Sequence, residues 1–163
     1  MQALDSLPIQ LIPATQVHLL EIMPWFPTAY SCRIWGGPEF RFPFTLETFL
    51  ADSKLATIAS YALIEGAAEV AAFGQFYSRV GRCHLCRLAV APDRRGRGLG
   101  AQLIEALLRE GKKALDATEG SLFVHGNNAT AITLYKRLGF VFSTYPEPGF
   151  HIPDSHYMVS PCG

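Results

Sequence analysis

Hydrophobic positions along the chain change period several times, and each change marks an element boundary. "PIQLIPA" alternates as a short strand. Thr15 stands where an N-cap starts a helix running to about Met23, which Pro24 stops, and Thr45 stands likewise before "LETFLADSKL". "ATIASYALIEG" and "AAEVAAFGQFYSRVG" are apolar runs meeting at Glu65 and Gly66, the pattern of an antiparallel hairpin. "RCHLCRLAVAP" follows as a third strand, ended by Pro92. From Gly98 the period becomes helical, with Leu99, Leu103, Ala106, Leu107 and Ala114 forming a stripe that continues to about Leu115. "SLFVHG" reads as a short buried strand. "NNATAITLYKRLGF" reads as a helix opened by asparagine and closed by Gly139, and "FVFSTY" and "SHYMVS" as two last strands.

The order is therefore strand, two helices, three strands, helix, strand, helix, two strands. Meandering strands followed by a crossover helix argue for an α/β sandwich with helices on both faces. One segment resists a periodic reading. "PWFPTAYSCRIWGGPEFRFPF", Pro24 to Phe44, holds both tryptophans, a tyrosine and four phenylalanines in 21 residues. Its prolines and glycines predict an ordered aromatic loop that either covers one end of the core or lines a ligand pocket.

Composition narrows the class. The 163 residues are 49% hydrophobic and 17% charged, which suits one globular domain spanning 1–163 with a substantial core. No apolar run is long enough to span a bilayer, and "MQALDSLPIQ" lacks a basic start and a short apolar core, so a soluble cytoplasmic protein is expected. Basic and acidic residues balance at 14 each, but residues 79 to 113 carry nine basic side chains against three acids. Cys32 and Cys162 are isolated. Cys83 and Cys86 form a CxxC, but three positions apart on a strand they face opposite ways and do not share a metal.

Inside the basic stretch lies "LAVAPDRRGRGLGAQL", a strand running through charged residues and three alternating glycines into a helix. A nucleoside-triphosphate loop would end in Gly-Lys-Ser/Thr, whereas Ala101 and Gln102 follow the last glycine here. Gly96, Gly98 and Ala101 satisfy a dinucleotide pattern, but Pro92 to Arg95 separate strand from glycine, and the acids Asp116 and Glu119 precede the next strand. A nucleic-acid patch and a purely structural turn are weaker readings in a neutral chain without a recognised motif. The remaining reading is an anion nest, in which glycine-freed amides at a helix N-terminus suit a diphosphate.

"RLAVAPDRRGRGLGAQLIEALL" resembles the acyl-CoA-binding signature of the GCN5-related N-acetyltransferase family, with Arg95, Gly98 and Gly100 matching its core. "NNATAITLYKRLGF" resembles that family's later pattern through Asn128, Ala131, Tyr135, Gly139 and Phe140. The likeness runs from about Arg82 to Phe142. It implies a mixed, mostly antiparallel sheet whose middle strands, "CRLAV" and "LFVHG", splay apart, with helices on both faces. It also implies acetyl-CoA as co-substrate, pantetheine bonding to the main chain of Leu88 and Val90, and diphosphate held by Arg95, Gly96, Arg97, Gly98, Gly100 and Ala101. Arg94, Arg97 or Lys136 would reach the 3′-phosphate. Asn128 would bond pantetheine or cap its helix, Tyr135 would protonate the departing thiolate, and the Leu88 N–H would serve as oxyanion donor.

The stretch "HLCRLAV" resembles the arylalkylamine acetyltransferases, in which histidines precede the same Leu-Ala-Val, with Cys86 here replacing the second histidine. His84 is then the candidate base, on one strand face with Cys86, Leu88 and Val90. Glu39, His125 and His151 are fallbacks. No metal is needed, because the thioester is already activated. The expected acceptor is a small-molecule amine or a protein N-terminus, with the aromatic 24–44 segment in its pocket and neither nucleic acid nor membrane as partner. A homodimer is compatible with the chain. The alternative is a non-catalytic CoA-binding, anion-binding or protein-interaction module on the same fold.

Overall fold

Thr15, Thr28 and Thr45 each open a helix in the structure, a computed structural model that describes residues 8–161. Residues 1–7 and Cys162, read above for a leader and a thiol, lie outside that range. The described chain runs β1 (Ile9–Pro13), α1 (Gln16–Ile22), a 3-10 turn at Met23–Trp25, α2 (Ala29–Gly36), α3 (Leu46–Ser53), β2 (Ala59–Glu65) and β3 (Glu69–Arg79). It continues through β4 (Arg82–Val90), a second 3-10 turn at Pro92–Arg94, α4 (Leu99–Leu115), β5 (Gly120–His125), α5 (Ala129–Arg137), β6 (Val141–Phe142) and β7 (Ser155–Ser160).

The strands form one sheet in the order β1-β2-β3-β4-β5-β7-β6. It is the mixed, mostly antiparallel sheet expected. β1 pairs antiparallel with β2, β7 antiparallel with both β5 and β6, and β4 parallel with β5. The parallel ladder has only two registered pairs, Cys83↔Gly120 and His84↔Ser121, although β4 continues to Val90 and β5 to His125. The ladder between the middle strands is therefore short.

The chain divides into two compact units, one holding residues up to Gly74 with Arg87–Leu103, the other Gln75–Cys86 with the residues from Ile104 onward. In the first, the aromatic segment is core. The rings of Phe26 and Trp35 stack at 4.1 Å, Trp35 and Phe49 at 5.6 Å, and Phe40 meets Phe49 edge-on at 5.3 Å. Leu19, Ile22 and Phe73 belong to the same cluster. Such rings each bury a large apolar area. These buried rings follow the core-covering reading of the 24–44 segment. The loop expectation is corrected, because α2 lies inside the segment. Thr28 Oγ1 accepts from the Ser31 N–H at 3.0 Å, a cap that the flanking prolines and glycines obscured.

In the second unit, the part of α4 from Ile104 onward seats closely on β3 and β4 because residue 111 has no side chain. A Cβ at Gly111 would run into Cys83 Sγ and approach Phe76 to 3.1 Å. Among the described residues, no helix is long and apolar enough to cross a membrane.

Candidate active site

The glycine loop has the backbone that its sequence calls for. After the 3-10 turn Arg95 is extended, and Gly96 and Gly98 both sit at φ +79°, a region costly for residues bearing a Cβ. A Cβ at either glycine would meet nothing within 4 Å. Glycine therefore supplies conformation and bare approach, leaving a cradle that a side chain would fill. The first helical bond of α4 runs from the Gln102 N–H to the Gly98 carbonyl at 3.2 Å. The amides of Leu99, Gly100 and Ala101 thus belong to the first turn, which has no carbonyl of its own helix to meet, and the helix dipole favours an anion there.

Sequence reasoning missed what holds this loop. The sequence marks Glu65 only as the hairpin's hinge, yet its side chain is 5% exposed and faces two loop arginines. Arg97 donates to both of its oxygens, at 3.1 and 2.5 Å, and Arg94 Nη1 lies 3.2 Å away while its Nη2 meets Glu69. Arg97 chiefly, with Arg94 adding, holds the Glu65 carboxyl below its usual range against the opposing effect of burial. Two of the arginines considered for phosphate contact are thus already ion-paired. Arg95 is exposed. Lys136 Nζ stands 4.6 Å over the Phe142 ring.

β4 departs from the predicted pleat. Arg87 sits at φ +48°, left-handed and unusual for a residue other than glycine, so the strand bends there. Its guanidinium lies 5.7 Å over the Phe40 ring and donates to the Gly36 carbonyl at 3.3 Å. His84, Cys86, Leu88 and Val90 consequently do not continue one alternating face, because alternation requires every residue between them to be extended. Leu88 and Val90 are partly buried.

His84 lies in the interior, 2% exposed. Its Nδ1 shares a 2.8 Å hydrogen bond with Ser121 Oγ, and its ring sits edge-on to Tyr77 and Phe123. Burial first, and the charge of Arg79 second, push it down to about 3. Such a ring is neutral at pH 7 and a weak proton acceptor. Burial also pushes the Cys83 thiol up to about 11. Cys86 is a partly buried thiol.

α5 is closed as predicted. Asn128 Oδ1 accepts from the Ala131 N–H at 3.2 Å, and Gly139 at φ +97° ends the helix with its N–H donating to the Lys136 carbonyl. Tyr135 packs 5.9 Å from Phe140. Part of its surface stays open, yet desolvation pushes its hydroxyl up to about 12, so it holds its proton at neutral pH.

A cleft of about 220 Å³ opens in the second unit, walled by Phe123, Tyr145, Phe150 and Tyr157, with His151 and His156 at its edge. Against three of these rings lies Arg79, which no motif singled out. Of the fallback bases, exposed His151 is at this cleft, His125 Nδ1 accepts from the Asn127 N–H, and Glu39 is exposed elsewhere on the chain.

Comparison with known proteins gives the family of the chain. A model of the acetyltransferase (GNAT) family matches residues 19–140. An N-alpha-acetyltransferase of Sulfurisphaera tokodaii is 36% identical over 91 residues, 53% of each chain, so the likeness spans about half of that relative. The structure of ribosomal-protein-S18-alanine N-acetyltransferase from Escherichia coli superposes with a TM-score of 0.63 at 26% identity, over 95% of this chain and 94% of that one. Aminoglycoside acetyltransferase AAC(6′)-Ib, solved with ribostamycin and coenzyme A, gives a TM-score of 0.74 at 21% identity over 94% and 93%. With the family pattern extending from α1 to the residue that follows Gly139, the chain belongs to the acetyltransferase (GNAT) family.

Proposed function

We propose that the protein transfers an acetyl group from acetyl-CoA directly to an amine of a small molecule or a protein N-terminus. The observation that carries this reading is the loop before α4, where two left-handed glycines lead into a free helical first turn. Arg95, Gly96, Arg97, Gly98, Gly100 and Ala101 hold the diphosphate in this proposal, mainly through amides, with Glu65 keeping Arg97 in place. The main chains of Leu88 and Val90, beyond the bend at Arg87, take the pantetheine, and the Leu88 N–H stabilises the oxyanion. When bound, acetyl-CoA supplies an activated thioester.

Tyr135 is the proposed general acid. A phenol raised to about 12 is fully protonated at neutral pH and donates to a thiolate as it leaves. Asn128 already uses Oδ1 in its cap, which leaves its amide N–H₂ for the cofactor. The amine's proton passes to solvent, since His84 near 3 is too weak a base to hold it, and that ring serves as a neutral hydrogen-bond partner of Ser121. The names of the Sulfurisphaera and Escherichia coli proteins support a protein N-terminus among the acceptors.

Calorimetry with acetyl-CoA, followed by an amine and peptide screen that reads released thiol, tests the proposal. Tyr135→Phe is expected to bind acetyl-CoA as the parent does and to transfer about 100-fold more slowly. No acetyl-CoA binding at millimolar concentration rejects the reading. Binding without thiol release from any acceptor favours a non-catalytic module.

A further inference from the structure

We infer that Glu65 is a positioning residue for acetyl-CoA: through Arg97 and Arg94 it sets the glycine loop in its diphosphate-taking shape before the cofactor arrives. This rests on the proposed acetyl transfer and deepens it.

All the groups concerned lie within the first compact unit. Backbone bonds fix the two ends of the loop. The Ala91 N–H donates to the Ala71 carbonyl of β3 at 2.8 Å and the Arg94 N–H to the Ala91 carbonyl at 2.9 Å, while the bond from Gln102 to Gly98 opens α4. Between these ends stand Gly96 and Gly98, both left-handed. Glycine loses more conformational freedom on ordering than any other residue, so a loop of this composition keeps one shape only when outside groups hold it.

Glu65 supplies such a hold from a fixed place. It is the last residue of β2, registered against Ile9 of β1, and the N–H of Gly66 beside it donates to the Pro8 carbonyl at 3.0 Å. Burying its carboxylate is costly unless the charge is paired and hydrogen-bonded. Arg97 meets that need with Nη1 and Nη2 on separate oxygens, a two-point pair that fixes direction as well as distance. Arg94 Nη1 stands 3.2 Å from Glu65 Oε1, and its Nη2 donates to Glu69, the first residue of β3. Both strands of the hairpin therefore grip the loop, at Arg94 ahead of Gly96 and at Arg97 between the two glycines. The Arg97 side chain acts as a strut, and the loop offers an anion its amides. A loop already in shape gives up less freedom when diphosphate binds.

The test measures Kd for CoA by calorimetry on the full chain, and Kd for ADP, which carries the adenosine and diphosphate of CoA without pantetheine. NMR order parameters of the Gly96 and Gly98 amides are read with no ligand present. The parent's glycines are expected near the value of rigid backbone, about 0.85, and those of Glu65→Gln below about 0.6. Glu65→Gln is expected to bind both ligands about tenfold more weakly, as for a loop in the competent shape roughly a tenth of the time. Glu65→Asp, which keeps the carboxylate on a shorter stem, is expected to recover part of this loss. Arg97→Gln is expected to match Glu65→Gln, and the double variant to bind no more weakly than either alone. Unchanged or tighter binding by Glu65→Gln, additive losses in the double variant, or flexible glycines in the parent overturn the inference. So does a lower unfolding midpoint with Kd and order parameters as in the parent, the mark of an ion pair that serves stability alone. Should Glu65→Gln fail to fold, the parent's order parameters and Arg97→Gln, at a side chain 51% exposed, still decide it. A parent that binds neither CoA nor ADP at millimolar concentration rejects the transferase reading and this inference together, whereas equal binding by parent and Glu65→Gln rejects the inference alone.

Discussion

The His84 ring carries no charge at neutral pH, because burial and then the Arg79 guanidinium push it down to about 3, against 6.5 for a free side chain. Between these values the unfolded chain binds a proton that the folded chain does not. Stability therefore falls as pH drops through this window, by about 1.4 kcal/mol per pH unit. Urea unfolding between pH 6.5 and 4 is expected to show a shallower decline for His84→Gln than for the parent. The parent's ring signal should not titrate between pH 5 and 8, and a midpoint near 6.5 would show that the ring is open to solvent. Histidine in this strand was legible as a candidate base from its neighbours in sequence. Its basicity was not, because Ser121, Phe123 and Arg79 reach it only through the sheet and the hairpin.

Single elements were the most legible level. Asn128 and Gly139 close α5 as their residue types predict, and Thr45 caps α3 through the Thr48 N–H at 3.2 Å. Caps depend on atoms three or four residues apart, so sequence exposes them where prolines and glycines do not crowd the pattern, as they do around Thr28. The bend in β4 was invisible for the opposite reason. Arginine has no preference for φ +48°, and contacts with Phe40 and the Gly36 carbonyl accompany this conformation from another part of the chain. Helix α4 carries a prediction at this scale. Gly111→Ala adds a methyl where Cys83 Sγ already stands, and repacking around it is expected to cost about 1–3 kcal/mol. A shift in the urea midpoint measures it, and unchanged stability would mean that the helix lifts from the sheet without penalty.

At the scale of the whole molecule, the aromatic segment decides what the first unit's core is made of. Trp35 is 8% exposed, stacks on Phe26 and Phe49, and donates from Nε1 to the Arg87 carbonyl at 2.9 Å. Trp35→Ala is expected to lower stability by about 3–5 kcal/mol in denaturant unfolding. A loss below about 1 kcal/mol, together with altered acceptor selectivity, would instead return these rings to a binding role. The sequence by itself determined the succession of strands and helices apart from α2, the glycine loop, and the cap and tyrosine of α5. Each is written in spacings of a few residues, where backbone geometry and side-chain type act locally. Only the tertiary structure decided that Glu65 holds Arg97 across 32 positions, that Arg79 meets Tyr145 across 66, and that the tryptophan-rich segment is core. Ion pairing, ring stacking and proton affinity depend on which distant groups share a volume from which water is excluded, and that arrangement exists only once the chain has folded.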